Sequence, residues 1–283
     1  MVDGGNKMLK ARKILWILSI IFLFMYALYP ILNAVICSTQ AEEYLYSEEL
    51  LRLPTYFTID HYKAIILRTN FLVWLKNNIV VSGGSAVLTI MMALPSAYVT
   101  ARYEHKYKFS KFFGTFILFF YLLPPVLLCL PLYMIFYRTR LIDTLFGLII
   151  ANSLFCFPLA EWIFWGYLKN FPNDIIEAAE VDGAGRFRTF THIVLPATKI
   201  SIISVAVMVF IISWTDFLFG FSFTQTDASK TISVGIWGLM EEWNIAWPDF
   251  LAASVLMSIP SLMIALFGFR YIIHVVEKGV AIS

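Results

Sequence analysis

The sequence predicts an all-α integral membrane protein of about six transmembrane helices, with one short polar helix in the loop between the fourth and fifth. Three observations predict it. The chain is 60% hydrophobic and only 14% charged, where soluble domains carry about 25% charged residues. Long apolar segments recur along its 283 residues; a bilayer core ~30 Å thick needs ~20 apolar residues per helix, which leaves room for about six spans and no separate soluble domain. Third, a polar island at residues 172–192 separates two of the longest apolar runs.

Residues 1–13 form a basic tail with Lys7, Lys10, Arg12 and Lys13. The first span is 14–36. Its apolar run is too long for the core of a signal peptide, and Ile36 before Cys37 is not the small residue that a lipoprotein cleavage site needs, so the span is retained. Residues 38–76 make a long polar outer connection that carries Leu53-Pro54-Thr55. The second span, 79–100, follows Asn77-Asn78, and Arg102, Lys106, Lys108 and Lys111 form a short basic loop after it. The third span, 112–136, is interrupted by Pro124-Pro125 and Pro131. Such breaks survive in a bilayer only where neighbouring groups re-satisfy the freed carbonyls, so they mark either a structural kink or a bend lining a pathway. A short outer turn, Arg138 to Asp143, leads to the fourth span, 144–168, which contains Glu161. The fifth span, 200–221, contains Asp216; the outer loop 222–247 carries Trp237, Trp243 and Trp247 as interfacial anchors. The sixth span is 250–273, and residues 1–283 read as a single transmembrane domain.

Basic residues orient the spans. Of the 21 lysines and arginines, 14 fall in the segments placed inside and seven in those placed outside. The excess puts both termini and the 172–192 loop in the cytoplasm. The net charge of +2 discriminates little between partners. Cys37, Cys129 and Cys156 are too far apart for a metal site or a disulfide framework.

The polar island has its own local logic. Pro172 suits a first helical turn, where its missing N–H would have no partner anyway. Asp174 and Glu177 place negative charge near that start, which the helix dipole favours. Gly183 stands where a helix can end in the left-handed conformation, so 172–182 reads as a short surface helix. Ala184-Gly185 turns the chain, Arg186 to His192 forms another short helical piece, and Pro196 restarts the chain toward the fifth span. Ala178 and Ala179 are small enough for a partner backbone to approach. Ile175, Ile176 and Val181 give the helix an apolar side, and Glu177, Glu180 and Asp182 supply carboxylates for arginines on another protein. This describes a docking knob better than a catalytic site; an ordinary amphipathic loop helix is the alternative.

The spacing narrows the choice. Glu177-Ala178-Ala179, three residues, Gly183, nine residues, Ile193, one residue and Leu195-Pro196 resemble the E-A-A loop of permease subunits of bacterial ABC importers. That resemblance implies that 172–192 is a coupling loop seated in a cleft of an ATP-binding subunit, with Glu177, Ala178, Ala179, Asp182, Gly183, Ile193, Leu195 and Pro196 transmitting motion. Leu53-Pro54-Thr55, Asn77-Asn78, Ala97-Tyr98, Ala101-Arg102 and Pro131-Leu132-Tyr133 are similar to the carbohydrate-uptake branch, and the layout resembles its second permease, as in maltose importers. Trp214-Thr215-Asp216-Phe217 resembles the Trp-Asn-Glu-Phe motif of that subunit, with Thr215 and Asp216 departing from it. The resemblance implies a bacterial inner-membrane complex of two permeases, two ATP-binding subunits and an extracytoplasmic solute-binding protein, with lipid and a carbohydrate as further partners and no nucleic acid. No G-x-x-x-x-G-K-[ST] loop occurs, so ATP and Mg²⁺ belong to the partner ATPase; this chain needs no cofactor and is not itself an enzyme.

Glu161 and Asp216 are the acids placed inside spans. A carboxylate at mid-bilayer costs roughly 2.5–3.5 kcal/mol on insertion scales and normally faces a cavity or a partner. They either bind sugar hydroxyls in a substrate pathway or make interhelical bonds. Tyr121, Tyr133, Trp214 and Phe217 are aromatic candidates for the same pathway. The alternative function is an ion-coupled secondary transporter that uses Glu161 and Asp216 as a proton relay; the docking loop and the lack of an obvious inverted repeat stand against it. His61, His105, His192 and His274 form no H-E-x-x-H pair, which sets aside an intramembrane metalloprotease.

Overall fold

The computed structural model describes residues 3–41, 57–103, 107–242 and 247–280, all in helices and their connections. Leu53-Pro54-Thr55, His105, Lys106 and Trp243 lie outside the described residues. The helices are α1 (Asp3–Cys37), α2 (Asp60–Arg68), α3 (Phe71–Arg102), α4 (Lys108–Tyr121), α5 (Val126–Thr139), α6 (Leu145–Lys169), α7 (Asn173–Val181), α8 (Arg186–Thr189), α9 (Leu195–Ala197), α10 (Lys199–Trp214), α11 (Leu218–Phe223), α12 (Ile232–Glu242) and α13 (Trp247–Val280). Four are long and apolar enough to cross a membrane, and two bent pairs bring the number to six if each pair is one span.

The chain forms two compact units, residues 1–69 with 239–256 and residues 70–238 with 257–283. In the first, α1 is apolar and exposed along its described length, as a helix surrounded by lipid requires. Its end is tied to α2, where the Ser38 and Tyr62 hydroxyls meet at 2.6 Å. His61 lies between two acceptors, with Nδ1 2.6 Å from Asp249 Oδ1 in the first turn of α13 and Nε2 3.0 Å from the Gln40 carbonyl.

The second unit is built on α3 against α6. One stripe of α3, Asn78, Ser82, Ser85, Thr89, Ala93 and Ala97, is wholly buried. It faces Ala151, Ser153, Cys156 and Ala160 of α6. Small and hydroxyl side chains let helix backbones approach closely where lipid gives no hydrophobic drive to pair. The hydroxyls then bond across: Ser85 donates to the Ile149 carbonyl at 3.4 Å, and Ser153 to the Ser85 carbonyl at 3.3 Å.

Several expected boundaries move, each for a physical reason. The second span begins at Phe71, so Asn77 and Asn78 lie inside α3. Asn77 donates to the Ala228 and Lys230 carbonyls and Asn78 to the Trp214 carbonyl, bonds that outweigh their weak helix propensity. The expected connection 38–76 therefore includes α2 and the first turns of α3, and the loop 222–247 includes α12. The third span is not one helix: α4 and α5 meet at 90°. Pro124 and Pro125 remove successive N–H donors and restrict the residue before them, whereas Pro131 lies within α5. The fifth span stops at Trp214, and a break at 215–217 precedes α11. Asp216 explains the break. Its carboxylate accepts the N–H groups of Phe219 at 3.2 Å and Gly220 at 3.1 Å, capping α11 from outside the helix.

The start of α6 is pinned as firmly. Thr144 accepts the Gly147 N–H at 3.0 Å, and a Cβ on Gly147 would overlap the Leu141 carbonyl oxygen. Asp143, held at φ 61°, accepts N–H groups from Gln225 at 2.8 Å and Thr226 at 3.0 Å, and the hydroxyls of Thr226 and Ser229. Partial burial works against its charge, yet these donors outweigh that and hold its pKa down at about 2. A depressed folded-state pKa stabilises above the ordinary carboxylate value and loses that contribution as pH falls toward about 2. Asp143→Asn keeps the positive φ accessible but presents an amide to four donors. It is expected to lower the melting temperature of the purified protein at pH 7, at a cost of about 1–2 kcal/mol, with the difference from wild type shrinking between pH 4 and pH 2. Thermal unfolding of both proteins across that range checks it; a constant difference would refute the carboxylate's role.

Candidate functional site

The loop between α6 and α10 holds the E-A-A residues. α7 runs from Asn173 to Val181 after Pro172, with Asp174 in its first turn. It ends as a Schellman motif. Gly183 has φ 82°, its N–H donates to Glu180 O at 3.1 Å, and the Ala184 N–H reaches back to Ala179 O at 2.9 Å. The chain returns through α8, a π-helical segment Phe190–Val194 and α9. Pro196 cannot donate to the carbonyl four residues back and would clash with it, so the preceding turn widens. The wide turn puts Thr189 and Val194, five residues apart, on one buried face.

The two faces of α7 differ from the expectation. Ile176 and Ala179 are buried, and Ile176 joins Ala97, Leu168 and Val194 in the core beside Phe171 and Phe190. Ile175 and Val181 turn outward, and Val181 is 87% exposed. The expected single apolar side of Ile175, Ile176 and Val181 is thus split, because a nine-residue helix can bury only the residues that meet the ends of α3 and α6. Glu177, Ala178, Asp182 and Gly183 are exposed, while Ala179 is not. Leu195 and Pro196 are exposed on the return strand of the loop, and Ile193 is half-buried. Three participants were not placed at this loop from sequence: Phe187, exposed beside α7; Tyr98, whose ring lies 5.4 Å from that of Phe190; and Arg102 as the partner of Glu180. An aromatic residue in a polar loop was the available signal for Phe187. The other two are contacts across 92 and 78 residues of chain, which no local pattern announces.

The six candidate pathway residues fall into separate places. Tyr121 and Tyr133 join one aromatic ladder: Tyr121 against Phe155 at 5.3 Å, Phe155 against Phe219 at 6.1 Å, Phe219 against Phe223 at 5.8 Å, and Phe223 against Tyr133 at 6.4 Å. Asp216 caps the helix that carries Phe219 and Phe223, with the Asn152 amide also beside it. Phe217 is exposed and stacks 5.3 Å from Phe221. Trp214 is buried and donates its indole N–H to the Met257 carbonyl at 3.2 Å. Glu161 is buried apart from these, next to Thr100, with no hydrogen-bond partner for its oxygens among the described residues. Among the described residues no cluster of His, Cys, Asp and Glu is arranged to hold a metal ion.

The described residues form a helical membrane protein whose fifth span breaks at 215–217 and whose preceding loop helix ends at Gly183. Residues 90–280 match the family described as "binding-protein-dependent transport system inner membrane component", and the chain belongs to that family. It is 28% identical over 272 residues to the trehalose/maltose transport system permease protein MalG of Thermococcus litoralis, covering 95% of this chain and 96% of that one. It is also 28% identical over 256 residues to the trehalose transport system permease protein SugB of Mycobacterium tuberculosis, covering 90% and 92%. The fold is similar to that of a chain in a bacterial ABC transporter involved in the import of the acidic polysaccharide alginate, with a TM-score of 0.75 at 17% identity over 92% of this chain and 96% of that chain. The protein is therefore a multi-pass inner-membrane permease subunit of an ABC transporter. It is non-catalytic, and ATP binding lies on the partner ATPase subunit. This membership displaces the ion-coupled alternative.

Gly183 tests the loop geometry. A Cβ there would meet nothing within 4 Å, so only its φ of 82° constrains the position. Gly183→Val is expected to strain the helix end by about 1–3 kcal/mol, preserving membrane insertion while lowering transport and stimulated ATP hydrolysis. Gly183→Asn, which tolerates the left-handed region, should be mild. Normal activity in the valine variant, measured in proteoliposomes, would count heavily against a role for this helix end.

Proposed function

We propose that this chain is one of two paired permeases of an ATP-driven carbohydrate importer. Its partners are a second permease subunit, two ATP-binding subunits and an extracytoplasmic solute-binding protein. The observation that carries the coupling role is α7 itself: a helix whose inner face is packed into the bundle while Glu177, Ala178, Asp182 and Val181 stand free on the outside. Such a helix can be gripped on one side and can push on the other. Ala179 belongs to the inner, transmitting face; Ile193, Leu195 and Pro196 brace the return to α10. The carbohydrate assignment rests on the Thermococcus and Mycobacterium relatives, which are named for trehalose and maltose transport. A solved alginate ABC transporter of similar fold, TM-score 0.64, is in complex with an alginate pentasaccharide-bound periplasmic protein, which supports a binding protein as the source of substrate.

Within the bilayer, we assign pathway surface to Tyr121, Tyr133 and Phe217, whose rings are partly or largely exposed. Asp216 keeps the α10–α11 break in place, and Trp214 and Glu161 act from within the helix packing. Residues 1–283 work as a single permease domain with both termini in the cytoplasm, where the ATPase is.

The test is reconstitution of the complex with its cognate binding protein after a ligand screen of that protein. One class of sugar is expected to bind, and the loaded binding protein should stimulate ATP hydrolysis and uptake. Uptake driven by a proton gradient without ATP would overturn the reading. Topology is checked separately by cysteine accessibility at position 283 and in the 38–76 connection, in a background lacking Cys37, Cys129 and Cys156. The two sites should label from opposite sides of the membrane; labelling from one side would sink the proposed orientation.

A further inference from the structure

We propose that Arg102 is a positioning residue for coupling: by holding Glu180, it makes α3 a third arm of the lever, beside the two spans that α7 is joined to by chain. The inference rests on the reading of α7 as the ATPase-coupling helix. Chain connectivity joins α7 to α6 through residues 170–172 and to α10 through α8, the π-helical segment and α9. Nothing of the kind joins it to α3, which ends 78 residues before Glu180. The link is instead a charge-assisted bond from Arg102 Nη2 to Glu180 Oε1. It is supported by the Tyr98–Phe190 ring contact at 5.4 Å and by Ala97 and Ile176 in one buried cluster.

Glu180 is the odd member of its helix. Among the described residues, Asp174, Glu177 and Asp182 make no ion pair, and all three are exposed; they remain available to a partner. Glu180 is turned toward its own chain. It also sits in the last turn of α7, where the helix dipole disfavours negative charge. A cation in the last turn of α3 is favoured by that helix's dipole. The pairing therefore brings a well-placed arginine to a glutamate that its own helix does not favour. Arg186 is a second arginine close enough to influence Tyr98 electrostatically; it serves as the control.

The mechanical consequence follows from packing. α3 lies along α6 through the small-residue stripe, so the two move together only if both ends are driven. Without the ion pair, α7 would drive α6 and α10 through the chain but meet α3 only through apolar packing, so a push on the docking helix would shift α6 against α3 and ATP hydrolysis would run without a matched movement of the pathway.

The experiment uses the full complex in proteoliposomes. Arg102→Glu, Glu180→Arg and the exchanged pair R102E/E180R are compared for copurification with the ATPase subunit and for substrate transported per ATP hydrolysed; Arg186→Gln is the control. Each single reversal is expected to keep copurification and to lower transport per ATP by at least about fivefold, the scale of a modest coupling free energy. The exchanged pair should return to within about twofold of wild type, and Arg186→Gln should stay near wild type. An exchanged pair no better than the singles, or full coupling in Arg102→Glu, overturns the tether. Glu177→Arg separates the two readings: it should abolish copurification, because Glu177 lies on the exposed face. If Glu177→Arg leaves copurification intact, the coupling-helix reading fails and takes the tether with it; if it abolishes copurification while the charge exchange fails to rescue, only the tether fails.

Discussion

The close approach of α3 and α6 is the contact on which the rest of the second unit depends. In a bilayer, two helices gain little from hiding apolar surface from each other, since lipid is as apolar as either. What remains is contact area and hydrogen bonding at short range. Ser82, Ser85, Thr89, Ala93 and Ala97 are small or hydroxylated and wholly buried, and Ser85 adds the hydrogen bonding. The Ser85 and Ser153 bonds to opposing backbone carbonyls are possible only because no larger side chain keeps the helices apart. A leucine at Ser85 would remove a bond and force the helices apart over their full length. α10 adds buried Ser201, Ser204 and Ser213 to the same packing style.

Breaks in the spans obey a second constraint, that freed backbone groups in the membrane need partners. At 215–217 the partner is a carboxylate from the break itself, since Asp216 takes two N–H groups of α11. At 122–125 two prolines remove donors instead of pairing them, and the chain turns through 90°. The two devices are opposites, one adding an acceptor and one deleting donors, and both give helices that end inside what hydropathy alone counts as a span. They also bring α5 and α11 together in the aromatic ladder through Tyr133 and Phe223.

This separates what was legible in the sequence from what was not. The number of spans, the helix at 172–182 and its end at Gly183 are local signals: apolar length, a proline at the start, a glycine at a positive φ. The break at Asp216 also had a local signal, because an aspartate after Thr215 is a helix start even in an apolar run; hydropathy masked it. The inward side of α7 was not legible. Ile175, Ile176 and Val181 are equally apolar, and only the positions of Ala97, Leu168 and Val194 decide that Ile176 is the one buried. Arg102 reads as one more basic residue in an inside loop until the fold places it against Glu180.

α6 is held to other segments at both its ends. Its 25 residues span roughly 37 Å, the thickness of a bilayer with part of its headgroups. At one end it runs into α7, where the Glu180–Arg102 pair and buried Ile176 hold the loop to the bundle. At the other end the Asp143 carboxylate gathers Gln225, Thr226 and Ser229 against the turn that starts the helix. Asn77 of α3 holds the same stretch through the Ala228 and Lys230 carbonyls. A displacement applied at α7 therefore need not dissipate in a loop at either end. In the proposed coupling it would pass along the packed α3–α6 pair to the stretch that Asp143 and Asn77 hold. In the proposed importer the binding protein delivers cargo on one side of the membrane and the ATPase supplies energy on the other, and a helix held at both ends is a direct physical way to join them.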